Sequence, residues 1–124
     1  MSAARLTDQP IDVERLTREV AAEGRGAISI FLGTVRNSND GRPVNGIDYS
    51  AYDAMALGEM SRIIDEAPGR FPGVAVSIEH RLGTLRVGDI SVAIACAHAH
   101  RAPALDANRY VIEELKRRVP IWKR

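Results

Sequence analysis

The chain has 124 residues, a mass of 13.6 kDa and a net charge of +1 from 17 basic and 16 acidic side chains. That size fits one domain with its own core, and the charge balance excludes a dedicated nucleic-acid binder. A composition of 45% hydrophobic and 27% charged residues excludes wholesale disorder, a single cysteine excludes an intrachain disulfide and suits a reducing cytoplasm, and no apolar run reaches the roughly 18 residues of a membrane span.

The opening M-S-A-A-R-L-T-D-Q-P lacks the apolar core of a secretion signal. Asp12 to Glu23 reads as a short amphipathic helix, with Val13, Leu16 and Val20 on one face and Gly24 as its stop. Ala27 to Val35 is rich in β-branched and aromatic residues and reads as a buried strand. Asn37 to Pro43 is a polar turn cluster, and Val44 to Tyr52 a second strand on which Tyr49 and Tyr52 face opposite ways, one to the core and one to a surface. Ala56, Met60, Ile63, Ile64 and Ala67 recur at helical spacing in Ala54 to Ala67, which Pro68 and Gly69 help to end.

Val74 to His80 alternates, with Val74, Val76, Ile78 and His80 on one face. Thr84 to Asp89 reads as a tight connection. Ile90 to His98 alternates strongly, and its small side (Ser91, Ala93, Ala95, Ala97) suits the close approach of a helix. Pro103 to Val119 is the last helix, stopped by Pro120. Helices and strands mix without regular βαβ alternation, so the fold class is α+β, with a mixed or antiparallel sheet and a C-terminal helix.

The basic residues are unevenly chosen: 15 are arginine, and the two lysines, Lys116 and Lys123, both lie in the closing nine residues. Arginine keeps its proton near neutral pH, whereas lysine loses it when buried or crowded by cations. On a helical wheel centred on Ile112, Leu105 and Val119 fall within about 20°, Leu115 at about 60° and Lys116 at about 40°. Two readings of Lys116 follow, a snorkelling side chain whose stem covers apolar surface and an amine at the floor of a pocket with a lowered pKa. Beyond Pro120, Ile121 and Trp122 are a bulky pair able to pin the tail and so hold Lys123; the other reading is a loose cationic end.

Cys96, His98 and His100 share one face of a continuing strand, a weak zinc arrangement set against a core cysteine, and no metal or cofactor is assigned. His100 and Arg101 stand where that strand gives way to the last helix, whose first amides attract anions. Arg36 has an analogous place after Ala27 to Val35. These cationic sites and the two lysines suit an anionic small molecule where they converge.

Four runs occur in order: F-L-G-T-V-R-N (Phe31 to Asn37), H-R-L-G-T-L-R-V-G-D (His80 to Asp89), A-H-R-A-P-A (Ala99 to Ala104) and L-K-R-R-V-P-I-W-K-R (Leu115 to Arg124). Together they closely resemble the catalytic (large) subunit family of molybdopterin synthase, from about Gly26 onward. The resemblance implies a hammerhead-like subdomain and one catalytic-subunit domain over residues 1–124. It implies transfer of sulfur, carried as a thiocarboxylate on the C-terminal Gly-Gly of a small ubiquitin-like carrier subunit, to cyclic pyranopterin monophosphate, forming the molybdopterin dithiolene. It implies a homodimer with a carrier at each end, a heterotetramer, which joins the cytoplasmic placement and the absence of nucleic acid and membrane read from composition. Carried over by position, Lys116 and Lys123 are the catalytic lysines. Thr34, Val35, Arg36, His100, Arg101, Lys116, Lys123 and Arg124 contact the substrate.

The sequence departs from the family pattern in two places. Ser50 stands where the family tends to have glutamate, and the chain stops at Arg124 where family members continue with an acidic residue and a further tail. The alternative function is therefore a truncated, non-catalytic homologue that dimerises and binds the carrier tail.

Overall fold

The structure, a computed structural model, describes residues 2–39, 41–43 and 45–123. In chain order its elements are β1 (Ala3–Thr7), α1 (Val13–Val20), β2 (Ala27–Thr34), β3 (Ser38–Asn39), β4 (Arg42–Pro43), β5 (Gly46–Ala51), α2 (Asp53–Arg70), β6 (Ala75–Arg81), β7 (Gly83–Arg86), β8 (Ile90–His98), α3 (Arg101–Arg118) and β9 (Ile121–Lys123). Strands β1-β6-β8-β2 form the main sheet, antiparallel except for the parallel β1–β6 pair. Helix α1 covers one face, where Leu16 and Val20 meet Ala75, Ala93, Ala95 and Ala97. Helices α2 and α3 cover the other, against Val76, Ile78, Val92, Ile94 and Cys96. The small side of β8 thus receives a helix, as its alanines predict.

Burial on both faces makes β6 and β8 the centre of the core. Ile78 is fully buried and packed between the sheet and the helices. Ile78→Ala should cost about 2–5 kcal/mol of stability, read as a lowered urea midpoint with an unchanged slope.

The α+β class holds, and several elements differ in their detail from the sequence reading. Asp12 does cap α1, its Oδ1 accepting from the Arg15 amide at 3.1 Å, but the helix ends at Val20, its last apolar residue. Helix α2 carries the expected buried stripe, yet runs through Pro68 to Arg70. Proline sits in the last turn, where it denies a donor only to the Ile64 carbonyl, and the Phe71 amide closes the helix on Ala67 at 2.8 Å. Strand β2 is not buried: it is the edge of the main sheet, and Ile28, Ile30, Phe31 and Leu32 are each more than a third exposed. Thr84 to Asp89 is half strand, because β7 pairs with β5, and the turn narrows to Val87–Asp89 with Gly88 at φ +90°.

Strands β7-β5-β9 form a second, antiparallel sheet, and β3 pairs with β4 in a short ladder. Gly46 is required where β5 meets β7, since a Cβ there would collide with the Leu85 carbonyl oxygen. Among the described residues no helix is long and apolar enough to cross a membrane.

Candidate active site

The last helix turns only part of the predicted stripe inward: Leu115 and Val119 are buried and Ile112 packs half-buried against the core. Its buried residues are Ala104, Ala107, Asn108, Val111 and Leu115, while Leu105 is 59% exposed. Small residues let α3 approach β2 and β8 closely, and Asn108 spends its amide there. Its Nδ2 donates to the Ser29 carbonyl and hydroxyl, both at 3.1 Å, and to the Ile94 carbonyl at 3.2 Å. A hydropathy wheel ignores alanine and asparagine, so it centred on Ile112. Lys116 lies about 140° from Val111 around the helix, away from the main sheet.

Lys116 is exposed along much of its length and stands beside the second sheet. After Pro120 the chain returns as β9 and pairs antiparallel with β5, Tyr49 opposite Lys123, Ser50 opposite Trp122 and Ala51 opposite Ile121. The tail is therefore pinned by backbone pairing and by half-buried Ile121, while Trp122 is 54% exposed. Arg118 fixes the end of α3 from the opposite side, bonding Glu66 at 2.6 Å and Glu59 at 3.1 Å on α2. Between helix end and returning strand lies a cavity of about 270 Å³, with Leu115 and Val119 as apolar wall and Tyr49, His80, Lys116 and Lys123 as its polar lining.

Both lysines line this one cavity. Burial in it, and then the positive charge of Lys123, hold the Lys116 amine below the ordinary lysine range. Tyr49 is buried and Tyr52 exposed, the split that opposite facing predicts. His80 was legible only as one member of an alternating face. It is 2% exposed, and its ring packs edge-on against Tyr49 with centroids 5.3 Å apart. A polar ring interrupting the apolar stripe of Val74, Val76 and Ile78 was the signal available for it.

Burial pushes the His80 pKa down to about 4, against the raising effect of its bond to the Arg81 carbonyl and with help from the charges of Lys116 and Lys123. Unfolded, the ring binds its proton near the ordinary value of 6.5. Between these values the unfolded chain holds more protons on this ring, so the ring's contribution to stability drops as pH falls from about 6.5 to about 4 and is constant below. This one group is worth about 3 kcal/mol across that window. Urea melts at pH 7 and pH 4.5 should show a smaller acid loss in His80→Phe than in the parent chain.

The other predicted residues stand elsewhere. His100 caps α3 and Arg101 begins it, both exposed beside a cleft of about 610 Å³ with Gly26, Ala27 and Ala99. From His100 to Lys116 the helix spans roughly 24 Å, so within one chain these two sites do not meet. Thr34 and Arg36 are exposed at the far end of β2. Val35 between them is buried with Tyr49 and Leu85, its amide bonded to the Asp89 carbonyl at 3.0 Å and its carbonyl accepting from the Gly88 amide at 2.9 Å. Arg124 lies outside the described residues. Cys96 belongs to the core, where burial raises its thiol to about 12, and His98 Nε2 bonds the Pro72 carbonyl at 2.9 Å.

Comparison with known proteins adds relatives to this geometry. The family model described as MoaE protein matches residues 6–118. The molybdopterin synthase catalytic subunit of Culex quinquefasciatus is 45% identical over 97% of this chain and 77% of its own length. A crystal structure of molybdopterin synthase from Staphylococcus aureus superposes with a TM-score of 0.92 at 39% identity, covering 95% of this chain and 86% of that one. A complex of subunits 1 and 2 of the molybdopterin-converting factor from Helicobacter pylori superposes with a TM-score of 0.80 at 26% identity, covering 97% and 82%.

Proposed function

Because the chain belongs to the MoaE protein family of molybdopterin synthase catalytic subunits, it is an enzyme of molybdenum cofactor biosynthesis, and we propose that it carries out the sulfur-transfer step itself. In this reading a small ubiquitin-like subunit delivers sulfur as a C-terminal thiocarboxylate and cyclic pyranopterin monophosphate receives it, forming the dithiolene. The two-subunit complex from Helicobacter pylori supports a small-subunit partner. The observation that carries the proposal is the meeting of the chain's two lysines in one cavity.

The chemistry matches those residue types. Release of sulfur from a thiocarboxylate passes through a tetrahedral oxyanion, and addition at the pterin side chain needs proton movements. Lys116, with its lowered pKa, exchanges the proton. Lys123, held by β9, stabilises negative charge or orients the carrier tail. Arg36, His100 and Arg101 take the substrate phosphate, arginine by paired N–H donors and the start of α3 by its free amides.

A homodimer brings these groups together. An exposed edge strand with apolar side chains invites pairing with a second copy, and β2 is such an edge. A two-fold axis across it runs the strands antiparallel, setting the Ala27 end of one copy beside the Thr34 end of the other. His100 and Arg101 follow the first end, since Ala27 pairs with His98. Arg36 follows the second, and buried Val35 joins it to Tyr49 at the lysine cavity. One chain's phosphate site thus completes the other chain's lysine site. In this reading the chain works as one domain, in the cytoplasm, with a carrier at each end of the dimer.

Mixing the protein with thiocarboxylated carrier and cyclic pyranopterin monophosphate should yield the dithiolene product, detected after oxidation by chromatography. Carrier binding without any dithiolene would leave a docking homologue in place of an enzyme.

A further inference from the structure

His80 is nearly fully buried, yet it lines the cavity that holds both lysines. Among the described residues its ring makes one hydrogen bond, Nδ1 to the Arg81 carbonyl at 2.9 Å. A carbonyl only accepts, so Nδ1 carries the hydrogen and Nε2 keeps a free lone pair. The edge contact with Tyr49 fixes the ring plane. The flanking strands offer only apolar neighbours in register, Leu6 on β1 and Val92 on β8. Among the described residues, the polar side chains that line the cavity with the ring are Tyr49 of β5, Lys116 of α3 and Lys123 of β9.

We propose that His80 is a positioning residue for Lys116: Arg81 and Tyr49 hold the ring so that Nε2 stands in the cavity as a hydrogen-bond acceptor for the lysine amine. A long, flexible lysine entering a cavity beside a second cation needs such an acceptor to settle in one place. A protonated imidazole would add a third positive charge and offer no acceptor, and burial keeps the ring neutral at working pH. The consequence for sulfur transfer rests on the proposed function; the lysine–histidine coupling does not.

The chain's composition makes the coupling directly measurable. With only two lysines, a protein grown on lysine labelled with carbon-13 at Cε shows two lysine signals, and Lys116→Arg assigns them. An acceptor at Nε2 favours the ammonium form, so His80→Phe should lower the Lys116 midpoint by about one pH unit. His80→Gln, whose amide oxygen can take the place of Nε2, should restore most of that shift. An unchanged or raised midpoint in folded His80→Phe would overturn the proposal, as would equal shifts in both variants. Nitrogen-15 shifts of the intact protein's histidines supply an arm that needs no substitution: a hydrogen found on Nε2 of His80 would also overturn it. None of these measurements uses carrier or pterin, so the coupling can fail while sulfur transfer stands, and the reverse. With turnover in hand, His80→Phe should lower kcat about tenfold with little change in KM, and its pH profile should move with the Lys116 midpoint.

Discussion

Lys116→Arg is expected to lower dithiolene formation by about 10²- to 10⁴-fold while leaving the protein folded and able to bind its carrier. The substitution keeps a positive charge at the cavity and removes only the ability to lose a proton there. Arginine stays charged under all working conditions, whereas the Lys116 amine is eased toward its neutral form by burial and by Lys123. Single-turnover assays of the variant against the parent chain separate this loss from weakened binding. Transfer at near-parental rate would show that charge alone suffices, and the proton-exchange role of Lys116 would be abandoned.

Arg101→Ala and Lys116→Arg chains, each inactive as a homodimer, are expected to recover about a quarter of parental activity when refolded together in equal amounts. Half the dimers are then mixed, and each mixed dimer rebuilds one intact site from the lysines of one chain and the arginine of the other. Sites confined to single chains would give no recovery. The same geometry makes Ile30→Arg a separate test, because Ile30 is exposed midway along β2 and its register partner Ala95 lies on the inner side, away from the free edge. A buried arginine without a partner at that edge should split the dimer, giving a folded monomer by sedimentation and at least a hundredfold loss of transfer, in line with the distance between the two half-sites.

Period and residue type made much of the fold legible. Ile90 to His98 alternates because it is a central strand with a small side for α1 and a large side for α2 and α3, and the Ala56 to Ala67 stripe marks its helix for the same reason. The misses share a cause as well. Leu105 looked inward because hydropathy weights leucine above Ala104, Ala107 and Asn108, the residues that actually permit close contact. Strands β1 and β9 have no alternation to read; Ala3–Thr7 and Ile121–Lys123 become strands only because β6 and β5 offer them free edges. Conversely, β2 reads as core because its apolar residues cover both faces, a pattern shared by central strands and by an apolar exposed edge such as this one.

The candidate site was legible in its parts. Lysine usage singled out Lys116 and Lys123, which share one cavity, and the resemblance named the residues proposed to take the substrate phosphate. Their spatial relations were beyond one-dimensional pattern, since β9 must fold back some seventy positions in sequence to set Lys123 opposite Tyr49. His80 escaped because a single ring at the end of an apolar stripe has the same spacing whether it fills space or lines a cavity.

The hold on Lys123 rests on three residues of β9, paired to a strand that belongs to the smaller sheet. So short a ladder opens far more often than the doubly covered β6–β8 centre, without disturbing it. The cavity therefore has a stability of its own, below that of the rest of the molecule. Warming or mild denaturant would scatter the two amines first, so loss of turnover would mark the detachment of one short strand while the main sheet remains intact, and any ligand seated in the cavity would act as a brace for that strand.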